Sequence, residues 1–274
     1  IGGAIYNDYS GTINIDSVNF INSTSDDYCY GGAIYNVGKM SISNSNFINS
    51  SAADGCGGAI YNEGSVSVVD SNFINSYAEE GGAAIYNSNY LYIKGNTFSG
   101  ENQDYVCSYG TVDGVTLIFN DNQTFEISNV PVDFTATLIA DGITISGEIP
   151  ITFTLNGKDA GNSYIYDNEA TFSADKKYGG KYILGGYING ASDLDIRTAT
   201  LIYSIPGLLA DVWVSKEGDG ANGDGSRENP YATIKKALTV AYDEGSTIHM
   251  LKGTYEFEQR ISISNGVTII GEEE

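Results

Sequence analysis

The chain has 274 residues, with 13 Lys and Arg against 35 Asp and Glu, a net charge of −22. A polyanion needs Lys and Arg to displace its counterions, so this balance argues against nucleic acid and against docking on an anionic membrane. At 41% hydrophobic residues the chain is too apolar for a disordered acidic tail, and no run of about 18 apolar residues is present to span a bilayer. The sequence opens on Ile1 in mid-pattern, which reads as part of a longer protein, so the lack of a signal peptide is uninformative.

The first hundred residues repeat. The tetrapeptide Ala-Ile-Tyr-Asn starts at Ala4, Ala33, Ala59 and Ala84, at spacings of 29, 26 and 25 residues. A second marker keeps step at Asn19–Asn22, Asn46–Asn49 and Asn72–Asn75, with Asn96-Thr97-Phe98 as the last copy. Between them lie alternating pairs: Ile13/Ile15, Met40/Ile42, Val66/Val68 and Leu91/Ile93. Period two means strand. Three short strands in about 26 residues match one coil of a parallel β-helix, whose coils stack about 4.8 Å apart. Ile5, Ile34, Ile60 and Ile85 are expected to form one inward ladder, and Phe20, Phe47, Phe73 and Phe98 another. Asn22, Asn49 and Asn75 share the parity of the Phe and are expected inward at a corner. Tyr6, Tyr35, Tyr61 and Tyr86 alternate with the inward Ile and are expected outward. They form either a stabilising stack, the favoured reading, or a carbohydrate-binding strip.

Gly-Gly-Ala-Ile-Tyr-Asn followed by Asn-Phe-Ile-Asn resembles the repeats of polymorphic outer-membrane proteins. It is most similar to the Asn- and Tyr-rich adhesin-like surface proteins of methanogenic archaea. The resemblance implies a right-handed parallel β-helix on a cell surface and brings no catalytic residues with it.

The repeat fades after Phe98. From Val115 strands alternate with turns every eight to twelve residues: Val115–Phe119, Phe125–Ile127, Val132–Ile139, Ile149–Leu155, Ser163–Tyr166, Ala170–Ser173, Lys181–Tyr187 and Thr198–Tyr203. This pattern predicts an antiparallel β-sandwich, with Asn156-Gly157 as a hairpin turn. It is similar to the bacterial Ig-like modules that connect repeats in surface adhesins.

Beyond Asp211 comes a strand, then a Gly/Asp/Asn loop. Asn229 is the expected N-cap, with Pro230 at the first helical position. Ile234, Ala237, Leu238 and Ala241 form the helix stripe, and Gly245 is the expected stop. Strands are expected at Thr247–Leu251, Ile261–Ile263 and Val267–Ile270. The run from Asn229 to Gly271 resembles the helix-capped N-terminal start of pectate-lyase-like β-helices. The expected modules are thus residues 1–108, a parallel β-helix of about four coils; 109–206, an Ig-like sandwich; and 207–274, the cap and first coil of a second β-helix.

Candidate chemistry is sparse. The loop Asp219–Gly225 offers Asn222 and Asp224 at Ca²⁺-loop spacing, but position 1 is Gly220 and position 12 is Tyr231, so a tight turn is the favoured reading. Asp26, Asp27, Asp54, Glu79 and Glu80 sit at repeat loops and do not recur at one inward position, as a glycosidase pair would. His249 has no acid or nucleophile adjoining it in sequence and reads as an ordinary strand residue. Cys29 and Cys56 lie about one coil apart, which leaves a cross-coil disulfide and two free thiols both open; Cys107 has no evident partner. Asn22, Asn49 and Asn122 head glycosylation sequons, Asn122 being the favoured one.

The function expected is a non-enzymatic, extracellular or cell-surface, adhesin-like stalk without cofactor or metal. Its partners would be surface glycans or other cell-surface proteins, with no nucleic acid and no membrane insertion by this stretch. The alternative is a secreted polysaccharide lyase or glycoside hydrolase whose active site lies beyond these residues.

Overall fold

A computed structural model describes residues 3–25, 30–101, 104–120, 123–126, 132–174, 180–204, 209–220, 222–241, 244–256, 260–263 and 266–272. They fall into two compact units. One comprises residues up to Asn120, Phe134–Phe172 and Gly185–Thr198; the other comprises Asp121–Asp133, Ser173–Leu184 and Ala199 onward.

The first unit is built on a right-handed parallel β-helix, the hand that crossover connections between parallel strands take. Alternating segments become strands in register from coil to coil. Ile5, Ile34, Ile60, Ile85, Val106 and Ile145 pair in succession, so one sheet carries six rungs. Ile34, Ile60 and Ile85 are fully buried. A second sheet stacks the Thr12–Asp16, Lys39–Ser43, Ser65–Val69, Tyr90–Lys94 and Thr111–Asp113 strands. A third places Phe20, Phe47, Phe73 and Phe98 one above another at ring separations of 4.8, 4.8 and 5.1 Å, with their planes nearly parallel. Both hydrophobic ladders lie where the repeat placed them.

Two features differ from expectation. Each of the first three coils has a fourth strand, Thr24–Ser25, Ser51–Ala52 and Tyr77–Ala78, too short to show alternation in sequence. Asn22, Asn49 and Asn75 are not inward: all three are exposed, with φ of 54°, 53° and 51°. One left-handed residue turns the chain through the corner and breaks the strand parity on which the inward placement rested. Ser50 and Ser76, one position on, are buried instead. The glycine pairs serve a different corner. Gly57 has φ of 68°, and a Cβ on Gly58 would lie 2.1 Å from the Ala83 carbonyl oxygen, so only glycine allows this coil-to-coil approach.

Carboxylates close the last turn of the stack. Asp141 accepts from the Gly95 and Asn96 backbone N–H groups at 2.8 and 3.0 Å, and Asp104 accepts from Ser146 Oγ at 2.5 Å. Asp113 is fully buried and accepts from the N–H groups of Ser192, Asp193 and Gly114 and from the Tyr90 hydroxyl, all within 2.9 Å.

The middle residues supply strands close to those predicted. Thr116–Phe119 pairs antiparallel with Val132–Ile139 and parallel with Asp195–Arg197. Ile149–Leu155 and Lys158–Ile165 form the predicted hairpin, with Asn156 and Gly157 at φ of 51° and 72°, the signature of a type I′ turn. Phe119, Phe134, Phe153 and Phe172 pack together in this core. In the second unit Gly180–Leu184 runs antiparallel to Ala199–Tyr203, whereas Gln123–Glu126 pairs parallel with Leu201–Ser204.

The C-terminal part of the second unit is a three-stranded parallel sheet of Asp211–Asp219, Glu244–Met250 and Gly266–Gly271, with a helix at Ile234–Val240. Val212, Val214, Ile234, Ala237 and Ile248 form its core around Tyr231. The helix starts later than expected. Tyr231 bridges to Val214 and Asp219 in an extended conformation, so Asn229 and Pro230 precede the helix, and Thr233 is the N-cap, accepting from the Lys236 N–H. Its C-cap is Ala241, and Gly245 belongs to the following strand. Ile261–Ile263 forms no strand, and Ile263 is exposed. No described helix is long and apolar enough to cross a membrane.

Candidate functional site

The expected tyrosine ladder forms on the outer side of the six-rung sheet. Register fixes it: Tyr6 pairs Tyr35, Tyr35 pairs Tyr61 and Tyr61 pairs Tyr86. Ring centroids are 5.6, 5.0 and 4.9 Å apart, and the last two rings are parallel within 1°. Two tyrosines outside the repeat motif complete it. Tyr109 continues the row 5.9 Å beyond Tyr86, and Tyr30 lies 4.5 Å over Tyr61. Tyr6 is 50% exposed at one end, while Tyr61 in the middle is only 9% exposed. The ring faces are therefore turned on one another, and the row offers mainly edges and hydroxyls. Burial, then the charges that neighbouring Cys56, Cys107 and Tyr109 take on only at high pH, pushes the Tyr86 hydroxyl up to about 12, so it stays a neutral donor at ordinary pH.

Beneath this row runs a ladder not expected from sequence. Asn7 donates its side-chain amide to Asn36, Asn36 to Asn62 and Asn62 to Asn87, each at 2.7 Å, and Asn87 donates to Ser108 Oγ at 3.0 Å. Each nitrogen also reaches a backbone carbonyl, such as that of Lys39 from Asn7 or Tyr90 from Asn62. Buried amides are tolerated only when satisfied, and here each satisfies the next. The signal was present: in Ala-Ile-Tyr-Asn an inward Ile and outward Tyr make the Asn inward.

A second cluster lies in the C-terminal sheet. Parallel register sets Trp213 beside His249, with rings 4.2 Å apart and within 11° of parallel, and the Arg227 guanidinium lies 5.1 Å from the indole centroid. His249 Nδ1 is 2.5 Å from Glu272 Oε1, and Nε2 is 3.1 Å from Asp211 Oδ1. Burial alone lowers the His249 pKa, but the two carboxylates outweigh it and the net shift is upward. Sequence proximity could not reveal these acids, because they stand 23 and 38 residues away. With a carboxylate at each ring nitrogen, the imidazole clamps Asp211 and Glu272 together.

The remaining candidates resolve simply. Asp219 accepts from the Asn222 backbone and amide, and Asp224 accepts from the Ser226 N–H, so these carboxylates hold the loop's own donors as a tight turn does. Among the described residues no cluster of three metal-ligating side chains occurs. Cys56 and Cys107 are buried free thiols; Cys29 lies outside the described residues, as does Asn122. Asn22 and Asn49 are exposed on the corner, so the inward register no longer stands against a glycan there.

One protein family matches the chain, a family typical of β-helix proteins and described as a protein of unknown function (DUF1565), over residues 216–274. No curated protein matches it. The likeness covers the helix, the last two strands of the parallel sheet and only the end of the first, from Lys216 onward.

Proposed function

We propose that this chain is an extracellular, non-enzymatic, adhesin-like protein whose β-helix is a stiff stalk and whose middle strands form an Ig-like spacer. One observation carries this reading. Equivalent positions of successive coils are used for stacking: Ile on Ile, Phe on Phe, Asn on Asn and Tyr on Tyr. Each coil buries its neighbours' faces, so stiffness accrues with every repeat while the exterior is left for contacts. The acids support an exposed, self-repelling exterior, since they are spread along the whole chain: 11 in residues 1–108, 12 in 109–206 and 12 in 207–274. The tyrosine row is the contact strip proposed for the stalk, and glycans are its proposed partners. Beads coated with the protein are expected to be retained on a glycan array. Retention unchanged by Tyr→Ser at Tyr6, Tyr35, Tyr61 and Tyr86 together would remove the strip.

A second reading, a polysaccharide-degrading enzyme, draws support from His249 between Asp211 and Glu272, an acid–base grouping on a parallel β-sheet. Release of reducing ends or of unsaturated sugars from a polysaccharide, abolished by His249→Gln, would favour it.

A further inference from the structure

The outer face of the Ile149–Leu155/Lys158–Ile165 hairpin carries a shallow groove of about 510 Å³. Register explains its lining. Pro150 stands opposite Tyr164 and Thr152 opposite Asn162, so these four side chains share one face, while Ile149, Ile151, Phe153 and Ile165 turn into the core. Tyr166, two residues past Tyr164, continues the same face at the strand end, and Asn189 closes the side.

Three properties define what would fit. First, the two rings are accessible. Tyr164 and Tyr166 are 48% and 51% exposed, with centroids 6.3 Å apart and planes at 54°. They are not stacked face to face like the ladder tyrosines. Second, the polar lining is amides and hydroxyls. Asn162 Oδ1 accepts from Thr152 Oγ1 at 3.0 Å, which fixes the amide and leaves its nitrogen as the donor to offer. Third, no charged side chain among the described residues lines the groove, on a chain whose net charge is −22. Two angled aromatic surfaces beside fixed amide and hydroxyl groups match a ligand with apolar C–H faces and hydroxyl edges. An anion would find no cation among the described lining residues, and an apolar peptide would leave the side-chain amides of Asn162 and Asn189 without a ligand partner.

We propose that this groove is a binding site for a neutral saccharide, seated on Tyr164 and Tyr166 and hydrogen-bonded through Asn162 and Asn189. The proposal deepens the contact role given above and rests on it for a setting, but it places recognition on the hairpin and not on the tyrosine ladder.

Calorimetric titration of the full chain with maltotetraose, cellotetraose and mannotetraose, with tetragalacturonate as the charged control, tests it. At least one neutral tetrasaccharide is expected to bind saturably and the charged one not to bind. The double variant Tyr164→Ala/Tyr166→Ala is expected to weaken binding about tenfold or more, as two ring contacts would. Asn189→Ala, an exposed change that keeps the backbone carbonyl accepting from Thr111, serves as a second variant and is expected to weaken binding while the melting curve stays unchanged. No binding to any neutral tetrasaccharide, or binding unaltered in both groove variants, overturns the site. Binding that survives the groove variants but is lost with the four ladder Tyr→Ser changes overturns this proposal while sustaining the ladder reading.

Discussion

The side chain of Asn36 donates to Oδ1 of Asn62 across 2.7 Å, and neither residue is exposed to solvent. Asn62 in turn donates to Asn87 and to the Tyr90 carbonyl. The ladder is a hydrogen-bonded line along the stack, so deleting a middle member strands partners on both sides. Asn62→Ala is expected to cost about 3 kcal/mol, the penalty for leaving buried amide groups unpaired. Asn49→Gly, on the exposed left-handed corner, is expected to change stability by less than about 0.5 kcal/mol. Chemical denaturation of both variants checks the pair; equal costs would place the two asparagines wrongly.

The phenylalanine stack belongs to a different sheet of the same coils. Phe73 is almost wholly buried between Phe47 and Phe98, with both ring centroids within 5.1 Å. Phe73→Ala removes its own contacts and one face of each neighbour's, for an expected loss of about 4 kcal/mol. A loss below about 1 kcal/mol would mean that the coils do not stack through this ladder.

Asp113 gives the stack an acid-sensitive end. Burial alone raises its pKa, but donors from Ser192, Tyr90, Asp193 and Gly114 outweigh burial and hold it below the ordinary carboxylate value. A depressed folded pKa means that the stabilisation is complete above the unfolded value of about 3.9 and is lost as pH falls through the folded one. Asp113→Asn is expected to destabilise the protein at neutral pH and to flatten its stability–pH slope in acid, as urea unfolding across that range would show.

His249 has the opposite sign. Its net shift is upward, so its contribution is complete below the unfolded value of about 6.5 and is lost as pH rises through the folded one. Imidazole NMR titration is expected to give an upward-shifted midpoint that moves back down in Glu272→Gln. A midpoint at or below the ordinary histidine value would dissolve the clamp.

Cys56 is expected to resist alkylation. Burial, then Glu80 beside it, pushes its thiol up to about 11, and the thiolate is the reactive form. Iodoacetamide followed by peptide mass analysis should label Cys56 in urea but not in the native protein at neutral pH.

The coils were legible because hydrophobic parity recurs: Ile5 and Phe20 predicted the positions of Ile60 and Phe73 directly. Parity failed at Asn22, Asn49 and Asn75, because one left-handed residue reverses the face and leaves no hydrophobic trace. The same alternation, carried one residue past the tyrosines, points Asn7, Asn36, Asn62 and Asn87 inward, where they are buried. The helix start was misplaced because Asn229-Pro230 satisfies local capping rules, whereas Tyr231 is held extended by Val214 and Asp219. The partners of His249 and the groove beside Tyr164 depend on strand register and remote loops, which no local pattern encodes.

The most direct test of the central claim, contact without turnover, is to follow a film of neutral polysaccharide on a surface-mass sensor while the protein flows over it. The account predicts that film mass rises on addition and returns to its starting value on washing. A film that ends lighter than it began, its chains cut and released, would contradict it.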